Sequence, residues 1–405
     1  MLSPRVWAEV RLDRFKRNVE RVRRAVGPGV EVMAVVKADA YGHGAVPIAR
    51  AALEAGATRL AVGDSSEALA LREAAIAAPI AVLGALVERE IDEVVHHGIT
   101  PTVHSLDRVK LLDLKARRHG RRLPVHLMVD TGMGRLGVRP SSAEALLVEI
   151  ASRPNLVLEG VATHFAAAAD DPAFTTEQLA RFTALLARAR ARGLTIPIAH
   201  AANSAALAAR PEARLDLVRP GAALYGLDPS GAAARAGLGL EPVLALRSQV
   251  VFLKRVEKGT PIGYGTGCRT GHATRVATVA IGYHDGYPHP LSGKAWVLIR
   301  GRRAPLLGTV TMDYIMADVG HIPGVRVGDA VTLVGRDGAE EIRCEELAKL
   351  AGTIAYDIPA GLGRRVRRVY VTEDGDERTM RHRERTREPR DQRESALAAP
   401  PARSP

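Results

Sequence analysis

Between Trp7 and Leu238, short β-branched apolar runs alternate with longer alanine-rich stretches whose apolar residues recur at helical spacing. Eight strand-like runs stand out: VEVMAVVKA, RLAVGD, PIAVLG, TPTVHS, PVHLMVD, LVLEGVATH, IPIAHAAN and LDLVRPG. Stretches such as SSEALALREAAIA and TTEQLARFTALLARARARG lie between them and read as helices. Repeated βα units predict a parallel sheet, and eight of them over this length fit a TIM (β/α)8 barrel better than an open doubly wound sheet. After about Gly239 the texture changes to closely spaced strands with Gly and Pro turns: LALRSQVVFLKRV, RVATVAIGY, AWVLIRG, RRAPLLGTV, DAVTLVG and RRVRRVYVTE. This predicts a barrel over 1–238 followed by a mainly β domain over 239–373. Residues 374–405 mix both charges, end in Ala, Pro and Ser, and are expected to be a disordered tail.

Composition narrows the class. A chain of 405 residues, 46% hydrophobic and 25% charged, can bury a large core, and two domains are the first expectation. No apolar run is long enough to cross a bilayer, and the start, MLSPRVWAEVRLDRF, lacks the apolar core of a secretory signal, so a cytoplasmic protein with no membrane partner is expected. Cys268 and Cys344 stand in no metal-ligand spacing and read as free thiols, with no metal implied. The net charge of +12 comes from arginine spread along the whole chain rather than clustered, which argues against a nucleic-acid partner.

Chemistry first shows in VVKADAYGHG, where an apolar strand ends and delivers Lys37, Asp39 and Tyr41. In a TIM barrel, polar groups at the C-terminal end of a strand face the active-site mouth. A lysine just past a buried run is a candidate Schiff-base residue, because desolvation lowers the ammonium pKa and frees the amine lone pair.

VVKADAYGHG resembles the cofactor-lysine signature of the alanine racemase family, and further matches follow in family order to about Tyr370. They are DTGMGRLG (Asp130–Gly137), THF (Thr163–Phe165), NSAA from Asn203, VRPGAALYG (Val218–Gly226), YGTG from Tyr264, IGYHDGYP (Ile281–Pro288), TMD (Thr311–Asp313) and TIAYDI (Thr353–Ile358). The ordered set, rather than any one motif, carries the resemblance.

The resemblance implies pyridoxal phosphate held covalently by Lys37, which also serves as acid and base on one face of a small amino-acid substrate, with Tyr264 on the other face. It places Arg219 at the cofactor's ring nitrogen, where a permanently charged guanidinium keeps that nitrogen unprotonated. His200 and His164 would continue a hydrogen-bond network from Arg219, and Asp313 would stand among the catalytic groups. Tyr41, Ser204, Tyr356 and the backbone of Gly221 and Ala222 match the phosphate positions. Asn203 and Ser204 also read as a helix start, and both readings are compatible. Arg135, Tyr283 and the Met312 backbone match substrate contacts. Because Tyr264, Tyr283 and Met312 fall in the second domain, the resemblance implies a head-to-tail homodimer with shared sites.

Two departures stand out. The family commonly carries a carbamylated lysine where this chain has Met128, so Arg135, expected as a buried guanidinium near cofactor and substrate carboxylate, lacks that negative partner, and another anion is expected beside it, a bound chloride first or else a carboxylate from a neighbouring strand. His284 and His289 replace the more usual alanine and arginine of the IGY motif. The expected activity is interconversion of L- and D-alanine for peptidoglycan supply, with serine or another small amino acid as the alternative substrate. A cofactor-carrying protein built on the barrel alone is a third reading, opposed by the second domain and Tyr264.

Overall fold

The computed structural model describes residues 4–265 and 267–372, so the expected tail at 374–405 lies outside the described residues. Eight parallel strands close into a barrel: β2 (Glu31–Val35), β3 (Arg59–Val62), β4 (Ile80–Val82), β5 (Thr100–Val103), β6 (Leu123–Met128), β7 (Leu156–Ala162), β8 (Ile198–His200) and β9 (Leu217–Val218). They coincide with the eight runs read from the sequence. Their near-continuous apolar character follows from burial on both faces, against the helices outside and the packed interior within. Inside, Met33, Val35, Ala61, Ala81, Ile198 and Leu217 form their own buried cluster. The helices between the strands start where the chemistry favours it: Asp64, Ser105 and Asp171 each accept a hydrogen bond from a backbone N–H of the first turn that follows.

The remaining strands form a nine-stranded, mostly antiparallel sheet made of β1 (Val6–Arg11), β10 (Leu244–Val256), β11 (Thr274–Val279), β12 (Trp296–Ile299), β13 (Arg302–Leu307), β14 (Ile315–Asp318), β15 (Ala330–Asp337), β16 (Glu340–Ile342) and β17 (Arg367–Val371). Here the structure differs from the reading above: residues 6–11 belong to this second sheet, pairing with β10 and β17, and not to the barrel. The reason is visible in VWAEVR, whose strictly alternating burial suits a strand with one face against a core and one toward solvent, unlike the uniformly apolar barrel strands. The pairing sends the chain's beginning into the same sheet as its last described strand. The two halves of the fold are thereby tied together at both ends.

Past β2 the backbone does something unusual for non-glycine residues. Ala38, Asp39, Ala40 and Tyr41 all sit at φ between 50 and 55°, a left-handed helical turn. Each such residue costs on the order of 1–2 kcal/mol. The turn is held by Glu67, which accepts from the Ala38 N–H, by the Asp39 carboxylate, which accepts from the Ala45 N–H at 2.7 Å, and by the buried His43 ring, whose Nδ1 donates to the Ala40 and Tyr41 carbonyls. From the second domain, the Arg368 guanidinium donates to the Gly42 carbonyl at 2.9 Å and to carbonyls of Leu362, Gly363 and Val366. Gly42 lies against that domain so closely that a Cβ there would come 1.8 Å from the Pro359 carbonyl oxygen.

The contact makes a test. Gly42→Ala adds a methyl group at φ +78°, directly onto Pro359, whereas Gly29 has open space around its Cβ position. Gly42→Ala is expected to destabilise the fold by on the order of 2–4 kcal/mol, with Gly29→Ala nearly neutral. Denaturation midpoints measured side by side decide it; equal midpoints would show that this contact does not hold the turn.

Candidate active site

The left-handed turn sets Lys37 at the barrel mouth, where its side chain is exposed at the surface of the chain. Partial burial of the amine lowers its pKa, the nearby Arg135 charge lowers it further, and Glu67 opposes both. The same Glu67 carboxylate accepts from the Gly63 N–H at 2.7 Å, so it props the loop after β3 against the Lys37 turn.

Tyr41 leaves the turn toward the far side of the mouth. Its ring packs on Tyr225 with centroids 4.7 Å apart and meets Tyr356 edge-on at 6.2 Å. Burial, with Tyr356 beside it, pushes the Tyr41 hydroxyl up to about 12, so it stays protonated and can donate. Gly221 lies beside that hydroxyl; a Cβ at 221 would be 2.4 Å from it. The Ser204 hydroxyl accepts from the N–H groups of Gly221 at 2.9 Å and Ala223 at 3.2 Å, with Ala222 between them. Asn203 is the cap of the helix Ser204–Ala209, accepting from the Ala206 N–H at 3.0 Å. Neutral hydroxyl and backbone donors around a glycine form a cradle suited to a phosphate.

Arg219 continues the inward face of β9, two residues past Leu217, and is 3% exposed. It donates to His200 Nδ1 at 2.6 Å, to the carbonyls of Thr163 at 2.7 Å and Ala201 at 3.0 Å, and to His164 Nδ1 at 3.3 Å. Its Nε–H and one Nη1–H have no acceptor among the described residues, so the guanidinium keeps donors for a ligand. Burial lowers its pKa to about 10, well above neutrality, and the charge persists. That charge is felt nearby: burial first, then Arg219, Arg135 and Lys37, press His164 down to about 3.

The DTGMGRLG loop after β6 is organised by one carboxylate. Asp130 accepts from the N–H groups of Gly132, Met133 and Gly134 at 2.8–3.0 Å and so curls the loop that carries Arg135. Arg135 is exposed while Met128, beneath the loop, is 7% exposed. The expectation of a chloride beside Arg135 depended on a buried guanidinium, and in the single chain that condition is not met.

Lys37, Tyr41, His164, His200, Asn203, Ser204, Arg219, Gly221, Ala222 and Tyr356 therefore converge at the barrel mouth, with Arg135 close enough for its charge to reach Lys37 and His164. Tyr264, Tyr283, Met312 and Asp313 do not join them. They lie in loops of the second sheet and have no contact with Lys37 among the described residues; Tyr264 is 78% exposed, Met312 51% and Tyr283 45%. Asp313 instead receives Arg365 at 2.7 Å, and the same guanidinium grips the buried Asp285 at 2.9 and 3.1 Å, which ties the TMD loop to the IGYHDGYP loop. Sequence reading missed Glu67, Arg365, Arg368 and two polar residues inside barrel strands, His126 and Glu159. A single polar residue within PVHLM or LVLEGVA was the available signal for the last two. Among the described residues no trio of His, Cys, Asp or Glu is arranged to hold a metal ion, and no helix is long and apolar enough to cross a membrane.

Known proteins share this arrangement over nearly the whole chain. Residues 10–229 match the family described as alanine racemase, N-terminal domain, and residues 243–370 match alanine racemase, C-terminal domain. The alanine racemase of Desulforamulus reducens is 45% identical over 368 residues, which make up 90% of this chain and 99% of the relative. That of Methanococcus maripaludis is 42% identical over 373 residues, 92% of this chain and 100% of the relative. Among solved structures, the Bacillus anthracis alanine racemase with bound L-Ala-P superposes with a TM-score of 0.85 at 39% identity, covering 93% of this chain and 97% of that one. The Streptomyces lavendulae alanine racemase gives 0.87 at 37% identity, with 92% and 98% covered. With a lysine-bearing barrel and its β domain both matched end to end, the chain belongs to the alanine racemase family and is an amino-acid racemase.

Proposed function

We propose that this racemase interconverts L- and D-alanine with pyridoxal phosphate joined to Lys37, and that it supplies D-alanine for peptidoglycan from the cytoplasm. The observation that carries the reading is the pairing, in one mouth, of a lysine of lowered pKa with a neutral phosphate cradle and a buried arginine that keeps free donors. The residues fit the cofactor: Tyr41, Ser204, Tyr356, Gly221 and Ala222 would hold its phosphate, with Asn203 fixing the helix start and Arg219 meeting its ring nitrogen. When bound, pyridoxal phosphate supplies an electron sink for the pair left by a broken Cα–H bond.

The chain's own groups move the proton. Lys37 Nζ takes or returns it on one face of the substrate, and the Tyr264 hydroxyl serves the other, because inversion needs removal on one side and return on the opposite side. Arg135, with Tyr283 and the Met312 backbone, would orient the substrate carboxylate. Since Tyr264, Tyr283 and Met312 stand apart from Lys37 within one chain, Tyr264 of the partner subunit in a head-to-tail homodimer is the group that reaches Lys37. The Arg365 bridge between Asp313 and Asp285 then serves to hold the presenting loops in place.

Borohydride, which fixes a C=N link between a carbonyl cofactor and an amine, is expected to leave the cofactor on the peptide containing Lys37 after proteolysis. Label on a different lysine, or none, overturns the assignment. Tyr264→Phe is expected to cut alanine racemisation by about 100-fold or more while cofactor absorbance is retained; racemisation at the wild-type rate rules out the second proton group. Mixing inactive Lys37→Ala and Tyr264→Phe chains should recover part of the activity, because a mixed dimer keeps one intact site. Absence of recovery with mixed dimers demonstrated by mass spectrometry counts against sharing between subunits.

A further inference from the structure

Besides its apolar cluster, the barrel interior carries a line of charged and polar side chains that starts at Arg219 and continues through residues the proposed mechanism does not use. The alternation of strand residues explains their aim: His200 shares the inward face of Ile198, Arg219 that of Leu217, Arg59 that of Ala61, and Glu31 that of Met33. They connect. Arg219 meets His200 Nδ1 at 2.6 Å, His200 Nε2 meets His126 Nδ1 at 2.8 Å, and His126 Nε2 meets the Glu159 carboxylate at 3.0 Å. Glu159 is bound by Arg59 at 2.8 Å, and Arg59 by Glu31 at 3.1 Å. Side-chain exposure is 3% for His126, 22% for Glu159, 16% for Arg59 and 39% for Glu31, so the line runs from the buried arginine out to the more open, opposite end of the barrel.

The proton positions follow from which groups can only donate or only accept. A guanidinium has no acceptor, so His200 Nδ1 must accept from Arg219 and the His200 proton sits on Nε2. That proton is donated to His126 Nδ1, which places the His126 proton on Nε2, facing Glu159. An ionised carboxylate accepts it. Burial alone would raise the Glu159 pKa, but the hydrogen bonds from His126 and Arg59 and the Arg59 charge hold it below the usual carboxylate range. His200 stays neutral because burial first, and then the Arg219 and Arg59 charges, press its pKa well down. Every bond from Arg219 through the two imidazoles to Glu159 is thus donated in one direction, and Arg59 donates to Glu159 from the other side. Gly160 makes room for it: a Cβ there would lie 2.9 Å from the His126 ring.

We propose that His126 and Glu159 are positioning residues for Arg219: by drawing the His200 Nε2 proton across the barrel, they hold the ring whose Nδ1 fixes the plane and free donors of the guanidinium at the ligand site. The inference rests on Arg219 facing the cofactor's ring nitrogen, and it deepens that reading by assigning a remote carboxylate control over it. In Glu159→Gln an amide carbonyl replaces the carboxylate as the acceptor, which weakens the pull on the His126 N–H and loosens the His126 and His200 rings. Gly160→Ala pushes the His126 ring from the line by a separate route.

The test is two-bond 1H–15N correlation on the full chain labelled at histidine, with and without added pyridoxal phosphate, the His126 and His200 signals being assigned by His→Gln variants. In the wild type, His200 and His126 are both expected to carry their proton on Nε2, and both Glu159→Gln and Gly160→Ala are expected to move the His200 Nε2 proton signal upfield as its hydrogen bond to His126 weakens. With cofactor, kcat for alanine should fall about tenfold in either variant while KM stays within about twofold. A wild-type His200 protonated on Nδ1 overturns the proposal, without dependence on any variant folding. So does a Glu159→Gln protein whose His200 signals and kcat match wild type. If the tautomers come out as expected but the wild-type chain with pyridoxal phosphate fails to racemise alanine, the functional reading falls and the hydrogen-bond line stands.

Discussion

Four consecutive non-glycine residues in a left-handed turn are a local structure the chain would not adopt alone, at on the order of 1–2 kcal/mol per residue. Their geometry is imposed from outside. Glu67 and Asp39 satisfy N–H groups around the turn, His43 holds its carbonyls, and Arg368 reaches across from the second domain to the Gly42 carbonyl. Lys37 sits at the start of this turn and Tyr41 at its end, so the amine and the phosphate-side hydroxyl are positioned by one strained element. The β domain is therefore required by the barrel site even before any contact between subunits is considered. Tyr370, next to Gly44 on β17, and the pairing of β17 with β1 extend the same clamp.

A second constraint is the burial of Arg219. A guanidinium removed from water carries a desolvation cost of several kcal/mol unless its donors are met, and it cannot shed its proton to avoid that cost. Two carbonyls and two imidazoles meet it, and a carboxylate lies two imidazoles farther along. Ala61 and Met33 of the apolar cluster share the inward faces of Arg59 and Glu31, so the barrel core mixes apolar and polar layers rather than being uniformly apolar. Positions that in a purely structural barrel would hold valine or leucine carry His126, Glu159 and Arg59 instead.

The eight barrel strands were legible because burial on both faces leaves a continuous apolar signature, and Lys37 was legible because it ends one such run. The strand at Val6–Arg11 was not assigned to its sheet, since its partners lie more than two hundred residues away and alternation alone names no partner. Glu67 and Arg368 were silent for a similar reason: an acid in a helix and an arginine in a strand look solvated until the turn they hold is known. His126 and Glu159 left a weak trace as polar residues in apolar strands, but their pairing depends on barrel closure and on the missing side chain of Gly160. The family resemblance supplied Tyr264, Tyr283 and Met312, which the geometry of one chain leaves away from Lys37.

Charge at the mouth gives the remaining step. Lys37, Arg135 and Arg219 gather there with Glu67 as the near counter-charge, and their combined field, on top of burial, is what holds His164 near 3. Such a cluster of like charges disfavours the empty folded state and favours any anion that fits. On the proposed reading two anions arrive, the cofactor phosphate at a cradle of neutral donors and the substrate carboxylate near Arg135. The division is physically sensible: neutral donors fix the phosphate by geometry while the fixed cations are left for the carboxylate and the ring nitrogen, where charge bears on the chemistry. A neutral His164 beside Arg219 then accepts a hydrogen bond from the guanidinium rather than competing with it as a further cation.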